Sequence, residues 1–474
     1  VLLATTSVAH GEPVAVDPHP REVEPALQPS EEVVEQPITA DGVRGAPVPG
    51  AEHGRTDPID TGHGTARLLG RSLLFIPRVP LELVAQPVRG LLYLQGRYSL
   101  VDKIQGLFRT DDSKVAIYPT ALFETGLGLN VGGRARFTDL LGHGERLFAR
   151  VGFGGEQKAL AALELGIGGR LSAGLRLRYE LADSLQFYGY GNGDVVTPTM
   201  PIDPLTSEDA VSTEFDLELF RVSPYVKYQL SRNLSLTASG ALTHKSFSPD
   251  DVEGDDFAID EAFMVDRIPG FASGTTFAYT ELEIAWNTRR RAHAWDAPGM
   301  RGTGGLVLGF IGRQHHLGED EPSYYRIGVD LQRYLRLAVG PRVLELRAYG
   351  ELVTGARDEV PFSELPRLGG SSLLRGYESG RFRDRVAIVT QASYAWAVSS
   401  WLAPSVFVDV GRVYSGLDDL SLDHPRAGFG AALEAYSKQR LFIRAEVASS
   451  LDGGVFVYLT LNPAFDAYSR AERN

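Results

Sequence analysis

Beyond Ser113 the chain is written in stretches of about ten residues in which apolar and polar side chains alternate, separated by Gly, Asp, Asn or Pro. A period of two is the mark of a strand with two different faces. It predicts strands at about 114–124, 127–138, 145–154, 158–166, 171–182, 213–230, 232–247, 270–288, 303–316, 323–338, 340–355, 386–399, 401–415, 426–437, 439–450 and 453–464, sixteen in all. Before residue 185, two long strands could replace three of these. The alternation is clearest near the C-terminus. Leu441, Ile443, Ala445 and Val447 share one face there, while Phe442, Arg444, Glu446 and Ala448 share the other. In the preceding strand Phe429, Ala431, Leu433 and Ala435 alternate with Gly428, Gly430, Ala432 and Glu434; Val455, Val457, Leu459 and Leu461 continue the apolar set.

A soluble sandwich also alternates, but its apolar face is the inner one. Sixteen strands would need several sandwiches, and no linkers divide them. Closure into a cylinder removes the unpaired edges that so wide a sheet would expose. No apolar run reaches the ~18–20 residues of a membrane-spanning helix. A charge on a lipid face near the midplane costs ~2–4 kcal/mol, which directs Glu434, Arg444 and Glu446 to the lumen and the apolar face outward. The expected fold is therefore all-β, a 16-stranded antiparallel transmembrane β-barrel over 113–465 with a short amphipathic helical N-terminal segment. Some connections are a few residues (142–145, 231–233), while 190–212, 248–269 and 356–385 are long. That asymmetry fits short periplasmic turns and long external loops in a bacterial outer membrane, with lipid and lipopolysaccharide around the wall. The acidic stretch Asp250, Asp251, Glu253, Asp255, Asp256, Asp260, Glu261 reads as a solvated loop, with divalent-cation bridging to lipopolysaccharide as the alternative. Its spacing departs from a calcium-loop template.

The first 112 residues follow other rules. Residues 1–9 resemble the back half of a secretory signal, with Ser7 and Ala9 at the small-residue positions; the alternative is an unremarkable apolar tail. Residues 10–64 interleave Glu12, Glu22, Glu24, Glu31, Glu32 and Glu35 with prolines, and disorder is expected because such a stretch buries too little apolar surface. From 65 to 112 many Leu residues stand beside Arg67, Arg71, Arg78, Arg89 and Arg97, and Pro77, Pro80 and Pro87 cut the run into short helical pieces. This amphipathic periplasmic segment either lies in a membrane interface or packs on its own protein. Residues 466–474 form a polar tail.

Composition narrows the chemistry. The 474 residues carry 47 Lys and Arg against 60 Asp and Glu, a net −13, and no Cys. The balance offers no basic footprint for nucleic acid. Disulfides, thiolate zinc sites and cysteine nucleophiles are excluded. There is no H-E-x-x-H, no G-x-S-x-G and no phosphate-binding loop, so neither an enzyme nor a cofactor is expected. His315 and His316 are adjacent and point to opposite faces of a strand, which makes a poor metal pair.

The segment LPRLGGSSLLRGYESGRFRDR (365–385) is long enough to fold back into the barrel. It carries Arg375 between Leu374 and the pair Gly376, Tyr377. A guanidinium in a partly desolvated lumen needs a fixed carboxylate. Thirty residues on, SVFVDVGRVY (405–414) places Phe407, Asp409 and Gly411 on the lumen side, so Arg375 is expected to pair with Asp409.

This combination resembles the BamA/TamA superfamily of outer-membrane insertases, also called the bacterial surface antigen family. The family's loop motif [V/I/L]RG[F/Y] is matched by Leu374, Arg375, Gly376 and Tyr377, and its F-x-D-x-G strand motif by Phe407, Asp409 and Gly411. FYGYGN (187–192) resembles a family turn, and NTRR (287–290) followed by Pro298 and Gly299 resembles a family hairpin. The last strand resembles a β-signal through Gly454, Val457, Leu459, Leu461 and the aromatic Phe465. In the family the motif loop follows the eleventh strand, as it does in the strand count above.

The resemblance implies an assembly or insertion factor acting through a weak barrel seam and the lumen loop, with unfolded outer-membrane proteins or lipids as clients. A periplasmic partner could supply client capture, because the expected member lacks the family's polypeptide-transport-associated domains. The alternatives are a passive porin-like pore and a polypeptide translocator. Two features depart from the family. Ser393 and Ala395 stand where an E-Y-R motif is common, which weakens the expectation of a wider arginine network, and nine residues follow Phe465.

Overall fold

The computed structural model describes residues 114–461 apart from 126–127, 140, 156, 251–256, 291–301, 318–322, 338–341, 399–401 and 437–440. The expected signal remnant, the 10–64 and 65–112 segments, Phe465 and the 466–474 tail lie outside the described residues.

The alternating stretches fold into sixteen long strands: β1 Val115–Glu124, β2 Gly128–Thr138, β3 Glu145–Gly154, β4 Gln157–Ile167, β5 Leu171–Phe187, β6 Thr213–Gln229, β7 Leu234–Pro249, β8 Thr275–Asn287, β9 Gly304–His316, β10 Tyr324–Arg336, β11 Arg342–Val353, β12 Val386–Trp396, β13 Leu402–Tyr414, β14 Arg426–Tyr436, β15 Leu441–Ser450 and β16 Gly453–Leu461. Each pairs antiparallel with its neighbours in sequence. β16 returns to β1 through Ala121↔Leu461, Leu122↔Thr460, Phe123↔Leu459 and Glu124↔Tyr458. The sheet is thereby a closed sixteen-stranded barrel, and the three strands expected between 145 and 182 are all present.

Parity decides what each side chain meets. Val447, Val455, Val457, Leu459 and Phe429 are exposed on the outer wall. Their neighbours Ala448, Tyr458 and Glu446 are buried on the inside. Ordinary globular packing would reverse this, and only a hydrocarbon surround makes the exposed apolar side favourable. In register across β14 and β15, Glu434 faces Arg444 on the lumen side.

Two boundaries differ from the alternation. β5 runs on to Phe187, because the polar pair Asp183 and Ser184, which looks like a turn, is a bulge: Ser184 has φ +53° and the register shifts between Ala182 and Leu185. A bulge absorbs the extra residues and lets the ladder resume. β8 begins at Thr275, after a single 3-10 turn Val265–Arg267 and two positive-φ glycines, Gly270 and Gly274.

The loop residues 188–212, 257–274 and 354–385 lie at one end of the barrel, since each loop follows an odd-numbered strand. They share a buried core. Phe362 is its hub, with ring centroids 5.4 Å from Phe187, 5.4 Å from Phe215 and 4.9 Å from Phe247, all edge-on. Edge-to-face packing of this kind stabilises beyond simple burial. The connection after the even-numbered β8, residues 288–303, is also long in sequence, so loop length does not sort perfectly with strand parity.

Substituting the exposed mid-strand Val447 by Arg should lower the unfolding free energy in vesicles by ~2–4 kcal/mol. Glu434→Gln on the lumen face should change it by no more than about 1 kcal/mol. Urea titration of both variants checks the assignment of faces; a smaller loss for Val447→Arg than for Glu434→Gln would overturn it.

Candidate functional site

The loop between β11 and β12 leaves the rim at Thr354, contributes Phe362 to the aromatic core and then turns into the barrel. A two-stranded ribbon, Arg367–Leu368 with Phe382–Arg383, forms its neck. Between the ribbon's arms, a one-turn helix Gly370–Leu373 leads to Leu374, Arg375, Gly376 and Tyr377. Gly370 N–H donates to the Tyr377 carbonyl at 2.9 Å and closes the tip.

Arg375 is the polar centre of that tip. Its Nε and Nη2 donate to the two oxygens of Asp409 on β13 at 2.8 and 2.7 Å, and its backbone N–H donates to Asp409 Oδ2 at 3.1 Å. Nη1 reaches Glu446 Oε1 on β15 at 3.1 Å. Beneath the plane lies Phe407, with the guanidinium carbon 3.4 Å from the ring centroid. Fork-to-fork pairing and an aromatic floor use the shape of a guanidinium, which a lysine ammonium could not reproduce. Burial works against the charge on Arg375, but the Asp409 carboxylate more than offsets it and holds the pKa above its ordinary value. Asp409 has 0 % exposure and Arg375 is buried, so the pair is largely withdrawn from water.

Two glycines make the approach possible. Gly376 adopts φ +91°, and a Cβ there would meet the Ser449 carbonyl at 2.3 Å. On the facing wall, a Cβ at Gly428 would lie 1.7 Å from the Arg375 carbonyl. Leu374 is fully buried, and the Tyr377 hydroxyl donates to the Ala427 carbonyl at 3.4 Å. Gly411 lies under Leu368 of the ribbon. Glu434 and Arg444 extend the lumen network toward Glu446, at 3.5 Å for Arg444 to Glu434 and 2.7 Å for Arg444 to Glu446. Gly454 turns the β15–β16 hairpin with φ +82°, Val457 and Leu459 face outward, and Leu461 ends the described closing ladder.

Sequence reasoning placed Glu446 in the lumen without joining it to Arg375. It also missed a second anchor. Glu364, in the 3-10 turn Phe362–Glu364, is bonded to Lys245 on β7 and lies 3.4 Å from Arg326 on β10, which also holds Glu351 on β11. Burial alone would raise the Glu364 carboxyl; Lys245 and Arg326 beside it hold it down at about 2. The FYGYGN turn docks at the same mouth. The Asn192 side chain donates to the Val413 carbonyl at 2.8 Å and accepts from the Val413 N–H at 3.1 Å, while Gly191 N–H donates to the Arg383 carbonyl at 2.9 Å. Among the described residues no group of three or more His, Cys, Asp or Glu could hold a metal ion.

A closed sixteen-stranded barrel with an arginine-bearing loop folded into its lumen after the eleventh strand defines a class of outer-membrane protein. Residues 139–448 match the Omp85 superfamily domain, and the chain belongs to that superfamily. No curated protein matches the sequence. Among solved structures it is similar to BamA from Haemophilus ducreyi lacking POTRA domains 1–3, at 14% identity and TM-score 0.53, over 73% of this chain and 69% of that one. CdiB from Acinetobacter baumannii gives 12% identity and TM-score 0.47, covering 73% of this chain and 60% of its own. CdiB from Escherichia coli gives 13% and 0.46, covering 73% and 62%. At these identities the likeness to BamA is one of fold.

Two predictions follow from the anchors. Arg375→Ala strands the buried Asp409 carboxylate and should cost ~3–5 kcal/mol, with a similar loss for Asp409→Ala. The double variant should lose clearly less than the sum in urea unfolding, and additivity would disprove the pairing. Glu364 has an ordinary value of 4.5 and a folded value of about 2. A depressed folded pKa gives stability that is whole above the ordinary value and is lost as pH falls through the folded one. Protease resistance of the loop should therefore hold down to pH 4.5 and decline toward pH 2, and Glu364→Gln should flatten that decline.

Proposed function

We propose that the protein is an assembly factor of the BamA/TamA type in the bacterial outer membrane, which promotes insertion of unfolded outer-membrane proteins through its seam. The observation that carries this reading is the loop tip Leu374–Tyr377, which Arg375 clamps to β13 and β15 inside the closed barrel. The step it would govern is separation of β1 from β16, whose described pairing includes Ala121–Glu124 against Tyr458–Leu461. Once open, β1 and β16 each offer a row of N–H and C=O groups to an incoming strand, which is recognition by β-augmentation. Gly132 and Gly133 on β2 leave little side-chain packing behind the first strand.

The process makes and breaks no covalent bond, so the role is not enzymatic and calls for no cofactor. Client strands would come from the periplasmic side, with a periplasmic partner protein delivering them, and lipid and lipopolysaccharide would surround the wall. The lumen loop argues against a passive pore, since its tip is clamped to the wall by Asp409 and Glu446.

Purified protein in vesicles of outer-membrane lipid should accelerate folding of a urea-denatured eight-stranded barrel client, and Arg375→Ala should reduce the acceleration. Client folding no faster than in empty vesicles, together with large steady conductance in planar bilayers, would replace this reading with the pore.

A further inference from the structure

Glu124 is the last residue of β1, and its parity turns it into the lumen, where it is 5 % exposed. Across the closing ladder it stands opposite Tyr458 of β16, 2 % exposed. The lumen loop holds both members of this pair. Ser371 donates its backbone N–H to Glu124 Oε1 and its hydroxyl to Oε2, each at 3.1 Å. Five residues further along the same tip, the Gly376 N–H donates to the Tyr458 hydroxyl at 3.4 Å. Between these two contacts sits Arg375, fixed to Asp409 on β13 and to Glu446 on β15.

The tip is thus bolted to the standing wall and reaches from there to both edges of the seam. A carboxylate is not needed to close a strand ladder, whose bonds are all backbone. In a lumen withdrawn from water it is costly unless donors meet it. Moving β1 away from β16 while the tip stays clamped must strip Glu124 of both Ser371 donors or Tyr458 of Gly376. Losing hydrogen bonds to a buried charge is more costly than losing neutral ones. We propose that Glu124 is a positioning residue through which the lumen loop latches the barrel seam, so that the seam opens only as the loop tip lets go. The consequence for clients rests on the insertion reading above; the latch itself does not.

Hydrogen exchange of the full-length protein in lipid nanodiscs, resolved by segment, tests this. Glu124→Gln keeps the shape and removes the charge, and Tyr458→Phe removes only the acceptor on the other edge. Each should speed exchange of the 121–125 and 456–461 amides by about tenfold or more while β9 and β10 keep wild-type rates. Unchanged seam exchange in both variants overturns the latch. A uniform rise around the barrel also overturns it, since Glu124 would then be merely structural. Client folding assayed on the same samples separates the two ideas: seam-localised acceleration without any wild-type insertion activity supports the latch and sinks the insertion reading. Wild-type insertion activity with unmoved seam exchange does the reverse.

Discussion

Hydrocarbon offers nothing to a backbone N–H or C=O, so every such group in a membrane-crossing strand must find its partner in the next strand. That requirement forces the sheet to close, and closure forces the parity of the whole chain. Once one side chain is outside, every second residue along sixteen strands is assigned. Val447, Val457 and Leu459 face out and Glu446 and Tyr458 face in by the same rule. The lumen is polar because it is where all the excluded charges must go. Its chemistry is therefore a by-product of closure before it is anything functional.

A polar lumen gives a loop something to bind. The β11–β12 loop uses two unlike anchors at different depths. Near the mouth, Phe362 enters an aromatic core while the neighbouring Glu364 meets Lys245 and Arg326. Deeper in, Arg375 is clamped between Asp409 and Glu446 over the Phe407 ring. Buried ion pairs add little net stability over well-packed apolar contacts, but breaking one partner is expensive. Such pairs fix a position more than they strengthen a fold, which suits a loop that must sit in one place.

The fold was legible because its constraint is periodic. Alternation survives local noise, so sixteen strands could be counted even though Asp183 and Ser184 imitate a turn within β5. Arg375 and Asp409 were also legible, since an arginine in a loop that folds inward demands a carboxylate on a lumen-facing parity. Glu364, Lys245 and Arg326 were not. They lie on a loop and two strands separated by up to 119 positions, and no spacing announces which lumen charges will meet. Ser371 with Glu124 is a harder case still, because serine in a glycine-rich loop reads as an ordinary turn residue. Parity tells where a side chain points, but the partner across the lumen depends on the path of a loop that has no period.

These two levels meet at the seam. Closure by parity alone would make β1 and β16 equivalent to any other pair of neighbours. What distinguishes them is that one residue on each, Glu124 and Tyr458, is held by the loop tip as well as by the ladder. Part of the hold on these two edges is therefore made by bonds to the loop in the lumen, beside the ladder bonds, which can separate only by leaving groups unpaired in lipid. Water can replace a serine or glycine donor; it cannot replace a ladder bond in hydrocarbon. A tip that lifts would thus loosen these two edges alone and leave the ladders of the remaining wall as they are.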